Sequence, residues 1–122
     1  MNVAILPSSG IPGVDFTIRQ GDTLPNMVAA LTDGNGNAID LTACTVALLL
    51  FSEYPQPLTQ VTLAGTLTVT EPEFGQVQYA WASADTSVAG SYQAVFQITT
   101  PGLATETVPN AGHLNIVIQP AL

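Results

Sequence analysis

The sequence contains no lysine. Its only basic residue besides one histidine is Arg19, set against nine acids, for a net charge of −8. Nucleic-acid binding depends on Lys and Arg neutralising phosphates. A single Arg cannot do that, so DNA and RNA are excluded as partners. An anionic membrane surface is excluded on the same ground. Cysteine is nearly absent too: Cys44 alone allows no internal disulfide. Lying among Ala43, Thr45 and Val46, it reads as a small buried apolar thiol rather than a nucleophile, which would need a base beside it. The one histidine, His113, has no partners at the spacing of a zinc site, which takes three or four ligands, and reads as a solvated turn residue. Long apolar runs are missing. The longest, "VALLLF", is far short of the ~20 residues of a membrane-spanning helix. The opening "MNVAILPSSG" has no basic residue ahead of its short apolar run and does not read as a signal peptide, so synthesis in a cytoplasm is expected. No long 3.6-residue periodicity occurs, and no helix is expected.

What remains is neutral and alternating. Hydrophobic residues make up 47% of the 122 residues and charged residues 8%, against roughly 25% charged in an average soluble domain. The surface must therefore be built mostly of Thr, Gln, Ser and Asn, which suits contact with other proteins. The dominant period is two. Val14, Phe16 and Ile18 alternate with polar residues in "VDFTIR", and Val77, Tyr79 and Trp81 share one face of "QVQYAW". Tyr92, Ala94, Phe96 and Ile98 share a face of "SYQAVFQIT", and Leu114, Ile116 and Ile118 a face of "HLNIVIQ". "NMVAAL" and "TLTVT" are weaker strands. Gly, Pro, Asn and Asp cluster between these runs, in "QGDTLPN", "DGNGN", "EPEFG" and "TPG". Seven or eight short strands with regular turn signals predict an all-β, immunoglobulin-like antiparallel β-sandwich. One domain over residues 14–122 is expected. Residues 1–13, apolar but broken by Pro7, Gly10, Pro12 and Gly13, read as an extended N-terminal arm.

One run breaks the alternation. "TVALLLFS", residues 45–52, is apolar on both faces. Either the strand is covered on both sides or one face is an interface, since a small sandwich normally wets the outer face of each sheet. The cover is then a partner or the chain's own arm. The interface candidates are Val3, Ile5, Leu6 and Ile11 in the arm, Leu49 and Phe51 on this strand, and Tyr54 in the following "SEYPQP".

Three segments invite a chemical reading. "DGNGNAID", from Asp33, resembles the start of a calcium loop, but Ala38 and Cys44 occupy the positions where such a loop needs Gly and a bidentate Glu. It reads instead as a hairpin turn, with Asp40 and Thr42 bonding the backbone as the chain turns again. Glu71 and Glu73 in "TEPEFG" imitate a glycosidase carboxylate pair, but nothing around them forms the apolar pocket that would raise one pKa. No nucleophile elbow is present. No catalytic, cofactor-binding or metal-binding residue is assigned, and an enzyme is not expected. "DTSVAGSYQA" is more telling: Tyr92 at the start of an alternating strand suits a tyrosine corner, and Ala94 stands where an antibody domain carries Cys.

The ordered elements Gln20–Asp22, Leu31–Asp33, Asp40–Thr42, Tyr79–Trp81, Asp85–Thr86, Gly90–Tyr92 and Thr107–Pro109 resemble the short Ig-like domain of baseplate upper proteins and related virion proteins of tailed bacteriophages. The resemblance runs from Val14 to near the end of the chain. It departs from the pattern at Ala43, where Gly is common. It also lacks the coiled-coil or receptor-directed regions of longer baseplate proteins. It implies an Ig-like fold and a non-enzymatic structural role in a virion, at the tail, the baseplate or as capsid decoration. The implied partners are other virion proteins or further copies of the chain. The alternative is a module that binds a host receptor or surface glycan.

Overall fold

The computed structural model describes residues 2–53 and 57–122. The alternating runs form strands that pack as two sheets. In chain order these are β1 (Asn2–Leu6), β2 (Phe16–Arg19), β3 (Met27–Thr32), β4 (Thr45–Ser52), β5 (Thr59–Val61), β6 (Thr66–Glu71), β7 (Gln76–Ala80), β8 (Gly90–Thr99), β9 (Thr105–Val108) and β10 (Leu114–Gln119). A short 3₁₀ turn, Pro72–Phe74, joins β6 to β7. The smaller sheet has the order β1-β3-β7-β6. The larger runs β2-β10-β8-β4-β5, with β9 pairing β8 beyond the end of β10. All pairs are antiparallel except β2 with β10. Two face-packed sheets with this interleaved connectivity form an immunoglobulin-like β-sandwich.

The inward residues of both sheets make one core. Phe16, Met27, Leu31, Leu50, Phe96, Ile98, Ile116 and Ile118 are almost completely buried. Each contributes roughly 1.5–3 kcal/mol of apolar burial. Trp81, just past β7, ties the two layers together. Its ring stacks on Phe16 of the larger sheet, 5.7 Å between centroids, and meets Tyr79 of the smaller sheet edge-on at 4.9 Å. The tyrosine corner is formed: the buried Tyr92 hydroxyl donates to the Val88 carbonyl at 2.6 Å.

Ten strands stand among the described residues, against seven or eight expected. The additional pieces are short or lie at sheet edges. β5 has three residues, and β9 closes a hairpin with β8 across the turn at 100–104. The third addition, β1, changes the reading of the N-terminus. Residues 2–6 are extended as expected, but they pair antiparallel with β3 over Asn2↔Thr32 to Leu6↔Val28. Ile5 enters the core and Val3 packs against it. The physical reason is that "NVAIL" alternates like any other edge strand, and the first break, Pro7, falls after it. The segment therefore belongs to the smaller sheet, away from β4.

Candidate interaction surface

Strand β4 resolves its two-faced apolar pattern by splitting it. Leu48 and Leu50 point into the core; Leu49 and Phe51 point outward and are half-buried by their neighbours. Register carries this outer surface across the sheet. Leu49 lies opposite Val95 and Phe51 opposite Gln93 on β8, while Gln60 of β5 flanks Phe51. Beyond β8 come Asn115, Val117 and Gln119 of β10, then Thr17 and Arg19 of β2. The centre of the face is aliphatic and aromatic, ringed by side-chain amides and hydroxyls. None of the outward positions on the strands of this sheet holds an acid. Glu106 of β9 has the inward parity of Val108, which is fully buried. The outer face of the smaller sheet is flatter: Ala4, Ala30, Thr68, Gln76 and Gln78 are typical of it, and Glu71 lies opposite Gln76 at its end.

Charge returns only at the margins. Glu53 follows β4, and its backbone N–H donates to the Ser91 carbonyl, continuing the ladder. At the opposite margin, an Arg19 guanidinium N–H donates to the Pro120 carbonyl at 3.0 Å. Arg19 also borders a cleft of about 420 Å³, with Asp22, Leu24, Ile11 and Gln119. Asp15 sits beside β10, where its carboxylate accepts the Asn115 N–H at 2.7 Å.

The interface candidates divide between the two sheets and the cleft. Leu49 and Phe51 lie together on the outer face. Leu6 and Ile11 are exposed, on the smaller sheet's edge strand and in the cleft respectively. Ile5 is buried inside the protein's own sandwich and Val3, partly buried, packs against the same core, a correction that follows from the pairing of β1. Tyr54 lies outside the described residues. The arm does not cover β4, because β1 is in the other sheet.

The turn at "DGNGN" folds the chain back on the end of β3 through the single bridge Thr32↔Ala38, before it crosses to β4 in the other sheet. Asp33 Oδ1 accepts the N–H groups of Asn35 and Asn37, and Asp33 N–H bonds the Asn37 carbonyl. Asp40 Oδ1 accepts the hydroxyl and N–H of Thr42, and these two bonds, the hydroxyl first, hold the Asp40 carboxyl below its usual pKa. Glu71 and Glu73 are exposed at the end of β6 and in the 3₁₀ turn. His113 is exposed ahead of β10, with Nδ1 3.2 Å from the Leu114 carbonyl.

Sequence reasoning missed the most concentrated polar site. Asp85 is only 3% exposed. Its Oδ2 accepts the Tyr79 hydroxyl at 2.7 Å and the N–H groups of Ala82 at 2.9 Å and Gly65 at 3.1 Å; its Oδ1 accepts Ala64 N–H at 2.7 Å. Burial alone would push this carboxyl up, but the four donors outweigh it and hold the pKa below the usual range. Tyr79 is pushed strongly upward by burial, and further by its bond to Asp85 and by that charge. The neighbouring Thr86 hydroxyl, fully buried, donates to the Asp22 carbonyl. This cluster knots the 64–65 and 82–86 loops to one end of the sandwich. It has no open side for a substrate. The signal was the pair Asp85–Thr86 closely following Tyr79 and Trp81, which reads only as a turn until Gly65 is brought over it.

No family model and no curated protein matches the chain. Among solved structures, it is similar to the copper resistance protein PcoC from Escherichia coli, at 7% identity and a TM-score of 0.48, over 87% of this chain and 91% of that one. The protein retrieved is a copper resistance protein and not a virion component, and none of these comparisons supports the structural virion role expected from the sequence. Neither that role nor its receptor- or glycan-binding alternative is carried further. Copper handling is not transferred in its place. Among the described residues no three His, Cys, Asp or Glu side chains come together, and Met27 is sealed in the core.

Proposed function

We propose that the chain is a non-catalytic protein-contact module whose working surface is the outer face of its larger sheet. The observation that carries this reading is the composition of that face. In a chain with nine acids, Leu49, Phe51, Val95 and Val117 form an apolar centre with no carboxylate on the surrounding outward strand positions. Interface cores are depleted in charge and enriched in aromatic residues in this way. The knotted carboxylate Asp85 and the exposed Glu71, Glu73 and His113 form no catalytic constellation that competes with it.

The test is a photo-crosslinking residue placed at Gln93, in the middle of the face, in the full chain in its native cells. A matched control carries it at Thr68 on the outer face of the smaller sheet. Discrete crosslinked species from position 93 are expected, absent from position 68 and lost when Phe51→Asp is added. Equal crosslinking from both positions, or none from position 93, would overturn the reading.

A further inference from the structure

We infer that the partner on this face is a second copy of the chain, packed face to face about a two-fold axis running along β8. The inference rests on the proposed contact role of the face and adds the identity of what covers it. β8 is the middle strand of β5-β4-β8-β10-β2. Arg19 lies on the β2 margin, opposite Gln119 in the register. Glu53 lies on the β4 side, bonded through its N–H to Ser91, and Ser91 is opposite Val117. Arg19 and Glu53 are thus at the same end of the face and on opposite sides of β8.

A rotation about β8 exchanges the two sides and keeps the ends. Each Arg19 is thereby brought over the Glu53 side of the other copy, so the pair forms twice. In register terms the offset is about two residues along the strand and one strand across. That is ~8 Å in the plane at ~3.3 Å per residue and ~4.8 Å per strand, and with packed sheets ~10 Å apart it makes ~13 Å between the two backbones, a span that an Arg and a Glu reaching toward each other can close. The only Arg of the chain therefore meets an acid of its twin, whereas within its own chain it bonds a carbonyl.

The rest of the face suits self-pairing. An isologous interface must be complementary to itself. Carboxylates, which only accept hydrogen bonds, would repel their own images. Gln93, Gln97, Asn115 and Gln60 each carry both donor and acceptor, and they surround Phe51, Leu49 and Val95 at the centre. Size is adequate as well. Five strands ~4.8 Å apart and about six residues at ~3.3 Å cover ~480 Å² of flat sheet per copy, close to the ~500 Å² a side that a specific interface should reach.

The experiment is sedimentation equilibrium of the full chain and of charge-exchange variants. The wild-type chain is expected to dimerise reversibly. Arg19→Glu and Glu53→Arg should each weaken the dimer at least about tenfold, because each sets like charges together twice. Mixing the two single variants should restore association as a heterodimer. The new acid at position 19 of one chain then faces the new base at position 53 of the other, while the native Glu53 of the first faces the native Arg19 of the second. The double variant should restore association as a homodimer. These recoveries also show that the single variants fold. A strictly monomeric wild-type chain up to ~1 mM, single variants that associate like wild type, or a mixture no better than its components would each overturn the inference. If the chain is monomeric while position 93 still crosslinks to other proteins, only the identity of the partner falls. If position 93 crosslinks to nothing, the contact role falls with it.

Discussion

Replacing Asp85 tests whether a buried carboxylate holds one end of the sandwich. In Asp85→Ala three donors lose their acceptor, the N–H groups of Ala64 and Ala82 and the Tyr79 hydroxyl, while the Gly65 N–H keeps the Tyr79 hydroxyl oxygen at 3.0 Å. A buried donor left unsatisfied costs ~1–3 kcal/mol. Water reaches the partly buried backbone groups, so the lower figure applies, giving ~3 kcal/mol in all for three donors. That is a large share of the 5–15 kcal/mol typical of a domain, and corresponds to a fall in Tm of roughly 9–15 °C. Asp85→Asn keeps the shape and should cost ~2 kcal/mol, since an amide NH2 must then face one of the donors on either side. The pH dependence supplies an independent readout. The folded carboxyl titrates below its unfolded value. Its contribution is therefore fully present above the unfolded carboxylate pKa near ~4 and is lost as pH falls through the lower folded value. Urea unfolding of wild type and Asp85→Asn between pH 2 and pH 7 should show a smaller loss on acidification in the variant. An Asp85→Ala cost under ~1 kcal/mol, or equal acid losses in the two chains, would refute the reasoning.

Three further predictions concern the backbone and the tyrosines. A Cβ on Gly65 would stand 2.2 Å from the Ala80 carbonyl oxygen and 2.5 Å from the Tyr79 hydroxyl, so Gly65→Ala should destabilise by ~3 kcal/mol or more in thermal unfolding, as overpacking against fixed backbone does. Ala43 has φ +62°, a left-handed conformation that costs a non-glycine residue ~1–2 kcal/mol; Ala43→Gly should relieve it and raise stability by ~0.5 kcal/mol after the greater entropy of the unfolded glycine is subtracted. Burial raises the pKa of both Tyr79 and Tyr92, so their contribution is full below the unfolded value near ~10 and is lost as pH rises beyond it; alkaline unfolding followed by circular dichroism should shift to lower pH in a Tyr79→Phe, Tyr92→Phe double variant only through its lower starting stability, with a shallower slope above pH 10.

Alternation made the sandwich legible because each inward position in a sheet is decided two residues at a time. Phe16 and Ile18, Tyr92 to Ile98, and Leu114 to Ile118 all face the core as their period requires. The tyrosine corner was legible for a related reason: its donor and acceptor, Tyr92 and Val88, are four residues apart. The N-terminal strand was less so, because the strand it pairs with begins some twenty residues later, and the Pro and Gly that follow Leu6 suggest a free segment. Asp85 was hidden by distance in the chain. Two of its four donors, Ala64 and Gly65, lie about twenty residues upstream, and nothing local distinguishes a turn aspartate that stays in water from one that is sealed. The outer face of the larger sheet was half legible: "TVALLLFS" announced a second apolar face, but Val95 and Val117 join it only through register.

The acidic balance takes on a different meaning once the carboxylates are placed. From composition alone a charge of −8 reads as an aid to solubility. Yet the carboxylates of Asp15, Asp33, Asp40 and Asp85 each accept backbone N–H groups in or beside loops. A loop N–H needs an acceptor, and Asp offers two oxygens on a short stem, where Lys offers none. A sandwich whose connections are tied this way accumulates negative charge at its ends and rims without needing cations to balance it. The same economy leaves the strands' outward positions to Thr, Gln and aliphatic residues. The acidic bias of the chain and the uncharged outward strand positions of its larger sheet are thus two results of one choice of loop chemistry.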